Sequence, residues 1–232
     1  MRSDLPKVLQ PLAGRPLLAH VLDCAAALGA DDVCVVYGHG GEAVRTAFAD
    51  DKLRWALQAE QLGTGHAVQQ AMPGTPEDNR VLVLFGDVPL LTPASCRRLV
   101  DETPDADVAV LTVDMDDPTG YGRIIRAADG VARIVEEKDA SADEKAVREI
   151  NTGVLVCPAA RLKRWLDNLG NDNAQGEYYL TDAVAMAVND SVTVHGIKAE
   201  SWIEVMGIND KKQLAEVERA LQARLVDALM KE

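Results

Sequence analysis

The sequence lacks the features that mark disulfide-linked, zinc-binding and membrane-spanning proteins. Its cysteines form no CxxC pair and have no histidine at metal-ligand spacing, so we expect buried, reduced thiols at Cys24, Cys34, Cys96 and Cys157. No run approaches the roughly 20 apolar residues that a bilayer-spanning helix needs. The N-terminus also lacks the apolar core of a signal peptide. These absences predict a cytoplasmic protein.

Positive charge is also scarce. The chain carries 24 lysines and arginines against 37 aspartates and glutamates, which gives a formal net charge of −13. Nucleic acids and anionic membranes are polyanions, so we expect neither as a partner. A nucleotide ligand would need a local basic group or a metal ion to offset the negative field.

Repeats and low-complexity tracts are absent too, and the composition is that of a globular protein. The chain has 232 residues, of which 47% are hydrophobic. A chain of this length buries enough surface to fold without disulfides or metal. It suits one domain, or one domain with a small appendage.

Helical and strand patterns alternate along the first half of the chain. The segments 32–37, 80–85 and 107–113 are short, continuous apolar runs, which are typical of strands buried on both faces. Helices are expected over 17–28 and 92–102. The sequence therefore predicts an α/β fold with a mixed, mainly parallel sheet and helices on both faces.

The second half departs from this alternation. Further strands are predicted around a polar helical insertion: the strands at 121–127, 131–137 and 150–156, and the insertion at 142–148. We expect these strands to join an edge of the sheet. Two helices and two strands follow, over 159–169, 177–188, 192–197 and 202–205. An apolar stripe over 210–230 predicts a last helix, which either docks on the domain or connects to a second one.

Three segments carry groups that suit a nucleotide. Asp87 follows a strand at its carboxyl end, where ligands of open α/β sheets lie, and a carboxylate there can hold Mg²⁺; a turn cap is the alternative. Gly63 and Thr64 precede a helix after Gln58, whose amide suits the edge of a base; an ordinary strand-to-helix turn is the alternative. Lys7 follows a rigid proline and can act as a point charge on phosphates, or is simply solvated.

Four more segments carry groups that can hydrogen-bond hydroxyls. They are 118–123, 134–138, 149–153 and 177–182, each with a Gly, Glu, Asn or Thr at a predicted strand edge or helix start. No serine, threonine or histidine has the spacing of a nucleophile with its base. Direct displacement between phosphates needs positioning and charge neutralisation rather than a nucleophilic side chain, so such a reaction fits this sequence.

In their order along the chain, these motifs resemble one family, the uridylyltransferase domain of bacterial bifunctional N-acetylglucosamine-1-phosphate uridylyltransferase/glucosamine-1-phosphate acetyltransferase. The similarity runs from Ser3 to about Asn209. It implies a Rossmann-like nucleotidyltransferase domain over 1–209 and a connector helix over 210–232. It also implies uridylyl transfer from UTP to N-acetylglucosamine 1-phosphate, which yields UDP-N-acetylglucosamine and pyrophosphate for cell-envelope precursors. In the full-length protein it implies a C-terminal acetyltransferase domain and a homotrimer.

The resemblance also assigns roles to individual residues. Lys7 would contact the phosphates of UTP and act in catalysis, with Mg²⁺ held by Asp87 and Asn209. The nucleotide pocket would be formed by Lys7, Gln58, Gly63, Thr64, Phe85, Gly86 and Asp87. The sugar would be bound by Gly122, Glu136 and Asn151.

This chain departs from the family's pattern at its start. The family opens with a strand and the Gly-rich loop Leu-Ala-Ala-Gly-x-Gly-Thr-Arg-Met, and Met1 falls where that last Met would be. The resemblance thus implies a domain without its first strand and loop, and a damaged nucleotide site in the chain as written. Two alternatives stay open: a related nucleotidyltransferase for another sugar 1-phosphate, and a non-catalytic nucleotide or sugar binder.

Overall fold

The computed structural model describes residues 5–38, 40–49, 52–128 and 130–231. The first residues of the N-terminal motif, including Ser3, lie outside the described residues. Within them, no helix is long and apolar enough to cross a membrane.

The described strands are short except in the middle of the chain. They are β1 (Pro11–Leu12), β2 (Arg15–Pro16), β3 (Cys34–Tyr37), β4 (Arg54–Leu57), β5 (Arg80–Val83), β6 (Val108–Asp114), β7 (Arg123–Ala127), β8 (Gly130–Val135), β9 (Glu149–Pro158) and β10 (Val194–Lys198).

Helices alternate with these strands along most of the chain. The α-helices are α1 (Leu17–Ala27), α2 (Glu42–Ala47), α3 (Thr64–Ala71), α4 (Pro93–Asp101), α5 (Ala142–Lys145), α6 (Ala159–Leu166), α7 (Asp182–Asn189) and α8 (Lys211–Leu229). Short 3₁₀ turns lie at Lys7–Leu9 and Trp202–Val205.

The main sheet is mixed, and strand β9 determines its pairing. Its order is β10-β6-β9-β7-β8, with β5 also paired to β9. The β10–β6 pair is parallel, whereas β9 runs antiparallel to β5, β6 and β7. Strands β3 and β4 form a separate parallel pair. The α/β class with a mixed sheet is confirmed, but parallel pairing is less extensive than expected because β9 returns antiparallel through the centre.

Both faces of the central strands are buried, which explains their unbroken apolar runs. In β6, Val108 and Val110 pack on one face with helices α3, α6 and α7. The intervening Ala109 and Leu111 pack on the other face, in the cluster that includes Cys24 of α1 and residues of α4. Successive side chains of a strand point to opposite faces, so residues 108–111 are all apolar here. The helices therefore cover both sides of the sheet.

One predicted element is wrong in type. Residues 202–205 form a 3₁₀ turn instead of a strand. The physical reason is Glu204, which is 1% exposed and accepts hydrogen bonds from the backbone N–H and the hydroxyl of Thr92. A turn places this carboxylate at the N-cap of α4, whereas a strand in a buried sheet would leave it without these donors.

A wide apolar slot separates β3 from β5. Within the described residues, β3 pairs only with β4, and β5 pairs only with β9, so each has an open edge. The cavity between them measures about 1190 Å³ and is lined by both strands and by helices α1 and α3. All eight residues of the two strands are only half-buried, although seven of them are valine, leucine, cysteine or tyrosine.

Candidate active site

Three distant segments meet at the amino group of Lys7. Its Nζ donates to Oδ2 of Asp87 at 2.5 Å and to Oδ1 of Asn209 at 2.9 Å. The 3₁₀ turn after Pro6 presents the lysine. The loop after β5 presents Asp87, whose carbonyl accepts the N–H of Ile208 at 3.0 Å and so holds the strand end beside Asn209. The structure thus brings together the predicted phosphate and metal residues.

The oxygens around Lys7 have the chemistry of a Mg²⁺ site. One carboxylate and one amide oxygen already share a cation, the ammonium group itself. Mg²⁺ is bound by one or two protein oxygens together with substrate phosphates rather than by a full protein cage. The described residues contain no group of three or more His, Cys, Asp or Glu side chains suited to a metal, so a metal here would need further ligands from phosphates or water. Asp87 and Asn209 therefore fit the metal that the sequence resemblance implies.

The glycine-containing loop before α3 is fastened to the segment at 177–180. Gly63 has a φ of +114°, and a Cβ there would lie 2.6 Å from the carbonyl oxygen of Tyr178. The N–H of Gly65 donates to that carbonyl at 2.8 Å, and Oγ1 of Thr64 accepts the N–H of Leu180 at 3.1 Å. Only glycine combines this backbone angle with so close an approach.

Gln58 is held against the same loop. Its side-chain amide nitrogen donates to the carbonyl of Gly63 at 3.0 Å and lies 3.1 Å from Nδ1 of His66. The side chain is buried. The structure therefore brings Gln58, Gly63 and Thr64 together at the start of α3, as the sequence resemblance implies.

A second, smaller cavity contains the predicted sugar residues. It measures about 210 Å³, and its lining includes Thr64, Phe85, Gly122, Glu136, Asn151 and Thr181. Phe85 also lines the large slot, so the two cavities meet at this ring. Gly153 has a φ of +85°, and a Cβ there would lie 2.4 Å from the Phe85 ring. Glycine at 153 is therefore needed to seat the ring.

The polar groups of this small cavity are fixed by their neighbours. The N–H of Asn151 donates to the carbonyl of Gly122 at 2.8 Å, and its side-chain oxygen accepts the N–H of Gly153 at 3.0 Å. Oε1 of Glu136 accepts the hydroxyl of Thr181 at 3.0 Å. A Cβ on Gly122 would lie 3.4 Å from the other carboxylate oxygen of Glu136. The cavity thus has preoriented hydrogen-bonding groups.

Burial raises the pKa of the Glu136 carboxyl group, and the hydrogen bond from Thr181 opposes that shift. The charges of Asp139 and Asp182 act in the same direction as burial. Burial likewise raises the pKa of the Tyr121 hydroxyl, which lines the same cavity. The charged form of Glu136 is thus less favourable than in water, which strengthens its tendency to accept hydrogen bonds from a ligand.

Sequence reasoning missed three residues of this site: Thr181, Tyr121 and Gly153. All three lie in segments singled out above for their hydrogen-bonding groups, but no spacing rule shows which member of a segment faces the cavity. Arg123, beside them, was also missed. Arg123 is 1% exposed, and its guanidinium donates to the carbonyl of Tyr121 and pairs with Glu137 at 2.6 Å. Arg123 therefore anchors the loop that lines the cavity.

A mixed sheet with a lysine, a carboxylate and an amide clustered at one strand end, beside a pocket of the size of a sugar, suits a nucleotidyltransferase. Solved structures support this fold. A nucleotidyl transferase from Methanothermobacter thermautotroptrophicus matches with a TM-score of 0.68 at 20% identity, over 95% of this chain and 87% of its own. HddC from Yersinia pseudotuberculosis, complexed with GMP-PN, also matches with a TM-score of 0.68. Its identity is 15%, and the match covers 94% of this chain and 91% of HddC.

Sequence comparison then identifies the family. The MobA-like NTP transferase domain matches residues 1–175, and the chain belongs to this family. The bifunctional protein GlmU of Azoarcus sp. (strain BH72) is 56% identical over 100% of this chain and 52% of its own length. The bifunctional protein GlmU of Burkholderia thailandensis is 55% identical over 99% of this chain and 51% of its own length. The chain spans about half the length of these relatives.

Proposed function

We propose that this chain transfers the uridylyl group of UTP to N-acetylglucosamine 1-phosphate, releasing pyrophosphate and UDP-N-acetylglucosamine. The observation that carries the proposal is the position of Phe85. It lines both the small cavity of Glu136 and Asn151 and the slot, which Lys7 also lines. Phosphates held at the Lys7 amino group would therefore lie near a polar, uncharged group in the small cavity. Relatives at 52–56% identity that bear the name GlmU support the same function.

The nucleotide is proposed to bind between Lys7 and the start of α3. The Lys7 ammonium group offsets phosphate charge as a mobile point charge. Thr64 lines both cavities, and Gln58 is hydrogen-bonded to the adjoining Gly63, so the surface of this loop is proposed to contact the base. Gly86 and Phe85 continue this surface towards the sugar cavity.

The reaction needs positioning and charge neutralisation. A phosphate oxygen of the sugar phosphate attacks the α-phosphorus of UTP in line, the new O–P bond forms, and the bond to the β-phosphate oxygen breaks with release of pyrophosphate. No proton has to be removed from an ionised phosphate, so no general base is required. Lys7 offsets the charge that spreads over the transferring group.

Asp87 and Asn209 are proposed to hold Mg²⁺ at this point. When bound, the ion polarises phosphoryl oxygens and offsets negative charge in the transition state. Asp87 contributes the charged ligand and Asn209 the neutral one. The carbonyl of Asp87, fixed by the N–H of Ile208, keeps the two side chains adjacent.

The sugar is proposed to bind in the small cavity. Glu136 and Asn151 offer oxygen acceptors to its hydroxyl groups and its acetamido N–H, and Gly122 leaves room for the ring. A related sugar phosphate with a different substituent would lose one of these contacts. A panel of sugar 1-phosphates and nucleoside triphosphates tests this assignment of substrate.

The setting of this activity follows from the same relatives. We propose a cytoplasmic enzyme of cell-envelope precursor synthesis, in which residues 210–232, including α8, connect to an acetyltransferase domain and the full-length protein is a homotrimer. The four cysteines are unpaired in the structure, which suits a reducing compartment. The chain's length of about half that of its relatives leaves room for such a second domain.

Replacing Glu136 with glutamine, in a form of the chain preceded by an apolar strand and a glycine-rich loop, is expected to raise the KM for N-acetylglucosamine 1-phosphate about 10-fold or more. A hydrogen bond to a charged group is worth about 1.5–3 kcal/mol, and a factor of ten in binding corresponds to about 1.4 kcal/mol. The KM for UTP should stay within about twofold. Steady-state kinetics with each substrate varied in turn measure both constants.

The matched control is Glu200→Gln, because Glu200 is exposed and lies outside both cavities. It should leave both constants unchanged. An unaltered sugar KM in Glu136→Gln would remove Glu136 from the sugar site, and an equal rise in both constants would indicate a general distortion.

A further inference from the structure

The ammonium group of Lys7 lies at the point that a metal ion held by Asp87 and Asn209 would use. It is 2.5 Å from the carboxylate oxygen and 2.9 Å from the amide oxygen. A Mg²⁺ ion would bind those oxygens at about 2.0–2.1 Å, so the ion and the amino group cannot share the position. One of the two cations has to leave when the other binds.

Lys7 is able to leave. Its side chain is 39% exposed, whereas that of Asp87 is 20% exposed. A lysine ammonium is a compact charge on a flexible four-carbon stem, and it can turn towards another oxygen without movement of the backbone. The backbone at this point is fixed by the 3₁₀ turn Lys7–Leu9. The amino group is therefore the mobile member of the cluster.

We propose that Lys7 is a resident counter-ion of the metal site, which keeps Asp87 paired until nucleotide phosphates draw the amino group away. The proposal rests on the proposed function and deepens it. Phosphate oxygens and Asp87 compete for the same amino group, and Lys7 and the metal compete for Asp87. Phosphates that bind the Lys7 amino group free Asp87 for the metal, and a metal on Asp87 frees the amino group for phosphates. Each ligand therefore strengthens binding of the other by the same factor. Metal and nucleotide therefore bind with positive cooperativity.

This arrangement also explains how a strongly acidic chain controls its metal site. With a net charge of −13, the protein attracts cations in general. Because Lys7 already neutralises Asp87, a free divalent ion gains less at this position than at an open carboxylate. The site becomes favourable for the metal when phosphates arrive, which is when the reaction needs it.

Chemical labelling of Lys7 tests the displacement without any turnover. The full chain is acetylated with a trace of acetic anhydride, with and without Mn²⁺ or Mg²⁺ and without nucleotide, and each lysine is quantified by mass spectrometry. Metal saturation should raise labelling of Lys7 about two- to fivefold, the factor that a partly exposed ion pair is worth. Lys198, which is 51% exposed and pairs with Asp114, is the internal control and should not change.

Metal affinity gives the second readout. Lys7→Met should bind Mn²⁺ about two- to fivefold more tightly than the native chain in the absence of nucleotide, as measured by electron paramagnetic resonance. Lys198→Met is the matched control and should bind like the native chain. Unchanged or reduced Lys7 labelling on metal saturation would overturn the proposal. So would weaker Mn²⁺ binding in Lys7→Met, or no metal binding in either chain.

These outcomes are separable from failure of the proposed function. If Lys7 is released by metal but no uridylyl group is transferred, the counter-ion role stands and the substrate assignment falls. If uridylyl transfer occurs while Lys7 labelling is insensitive to metal, the function stands and the counter-ion role falls.

Discussion

In a form of the chain preceded by an apolar strand and a glycine-rich loop, Asp87→Ala is expected to lower the rate of pyrophosphate release at least about 10²–10³-fold while leaving the fold intact. Removing one preorganised charge-stabilising group from an active site has effects of this size. Asp87 is the charged member of the proposed metal pair. Without it, the neutral amide of Asn209 is the one remaining member of that pair. Asp87 is partly exposed, so its removal creates no buried cavity. Release of pyrophosphate at saturating Mg²⁺ measures the effect, and circular dichroism checks the fold.

The matched control for this variant is Asp114→Ala. Asp114 also pairs with a lysine, Lys198, but lies outside both cavities. Its replacement also removes an acidic residue and a lysine ion pair, although a more exposed one, and should leave turnover unchanged. Loss of Mn²⁺ binding in Asp87→Ala, but not in Asp114→Ala, is expected in parallel. Undiminished turnover in Asp87→Ala would show that the metal is held elsewhere.

Filling the slot between β3 and β5 with an added strand is expected to raise the stability of the folded chain. Residues 5–8 line the slot, so a short apolar segment fused ahead of the chain can reach it. Five valine side chains buried at about 2 kcal/mol each, less about 1.5 kcal/mol per residue for ordering, give a net gain of about 2.5 kcal/mol. For a domain of this length the melting temperature should rise about 5–10 °C.

Strand pairing, rather than added hydrophobicity, is the cause to be tested here. The control fusion carries a proline at its central position, which removes a backbone donor and breaks the ladder. Only the proline-free fusion should raise the melting temperature and slow hydrogen exchange of the β3 and β5 amides. Equal melting temperatures for the two fusions would show that the slot does not take a strand.

Much of the fold could be predicted from local patterns. Pro93 after Thr92 marks the start of α4, and the structure shows the Thr92 hydroxyl accepting the N–H of Ser95 at that N-cap. The continuous apolar run of β6 correctly indicated burial on both faces. The strand predicted at 202–205 failed because its pattern does not reveal that Glu204 caps a distant helix. Strand β4 was missed because its four residues are Arg, Trp, Ala and Leu, without a clear period.

The candidate site was predictable as a set of segments but not as a geometry. Motifs in a characteristic order indicated which segments matter, and the structure brings Lys7, Asp87 and Asn209 within hydrogen-bonding distance. The direct pairing of Lys7 with Asp87 spans 80 positions, and no local rule links residues so far apart. The contact between Thr181 and Glu136 is hidden for the same reason. The roles of these residues stay predictions until the variants are measured.

The most direct test of the account is pyrophosphate release from UTP, N-acetylglucosamine 1-phosphate and Mg²⁺. It is measured with the 232-residue chain and with a form preceded by an apolar strand and a glycine-rich loop. We expect release that requires all three components and is fast in the extended form, with weak or no release from the shorter one. No release from either form, with both folded, would contradict uridylyl transfer as the function of this domain.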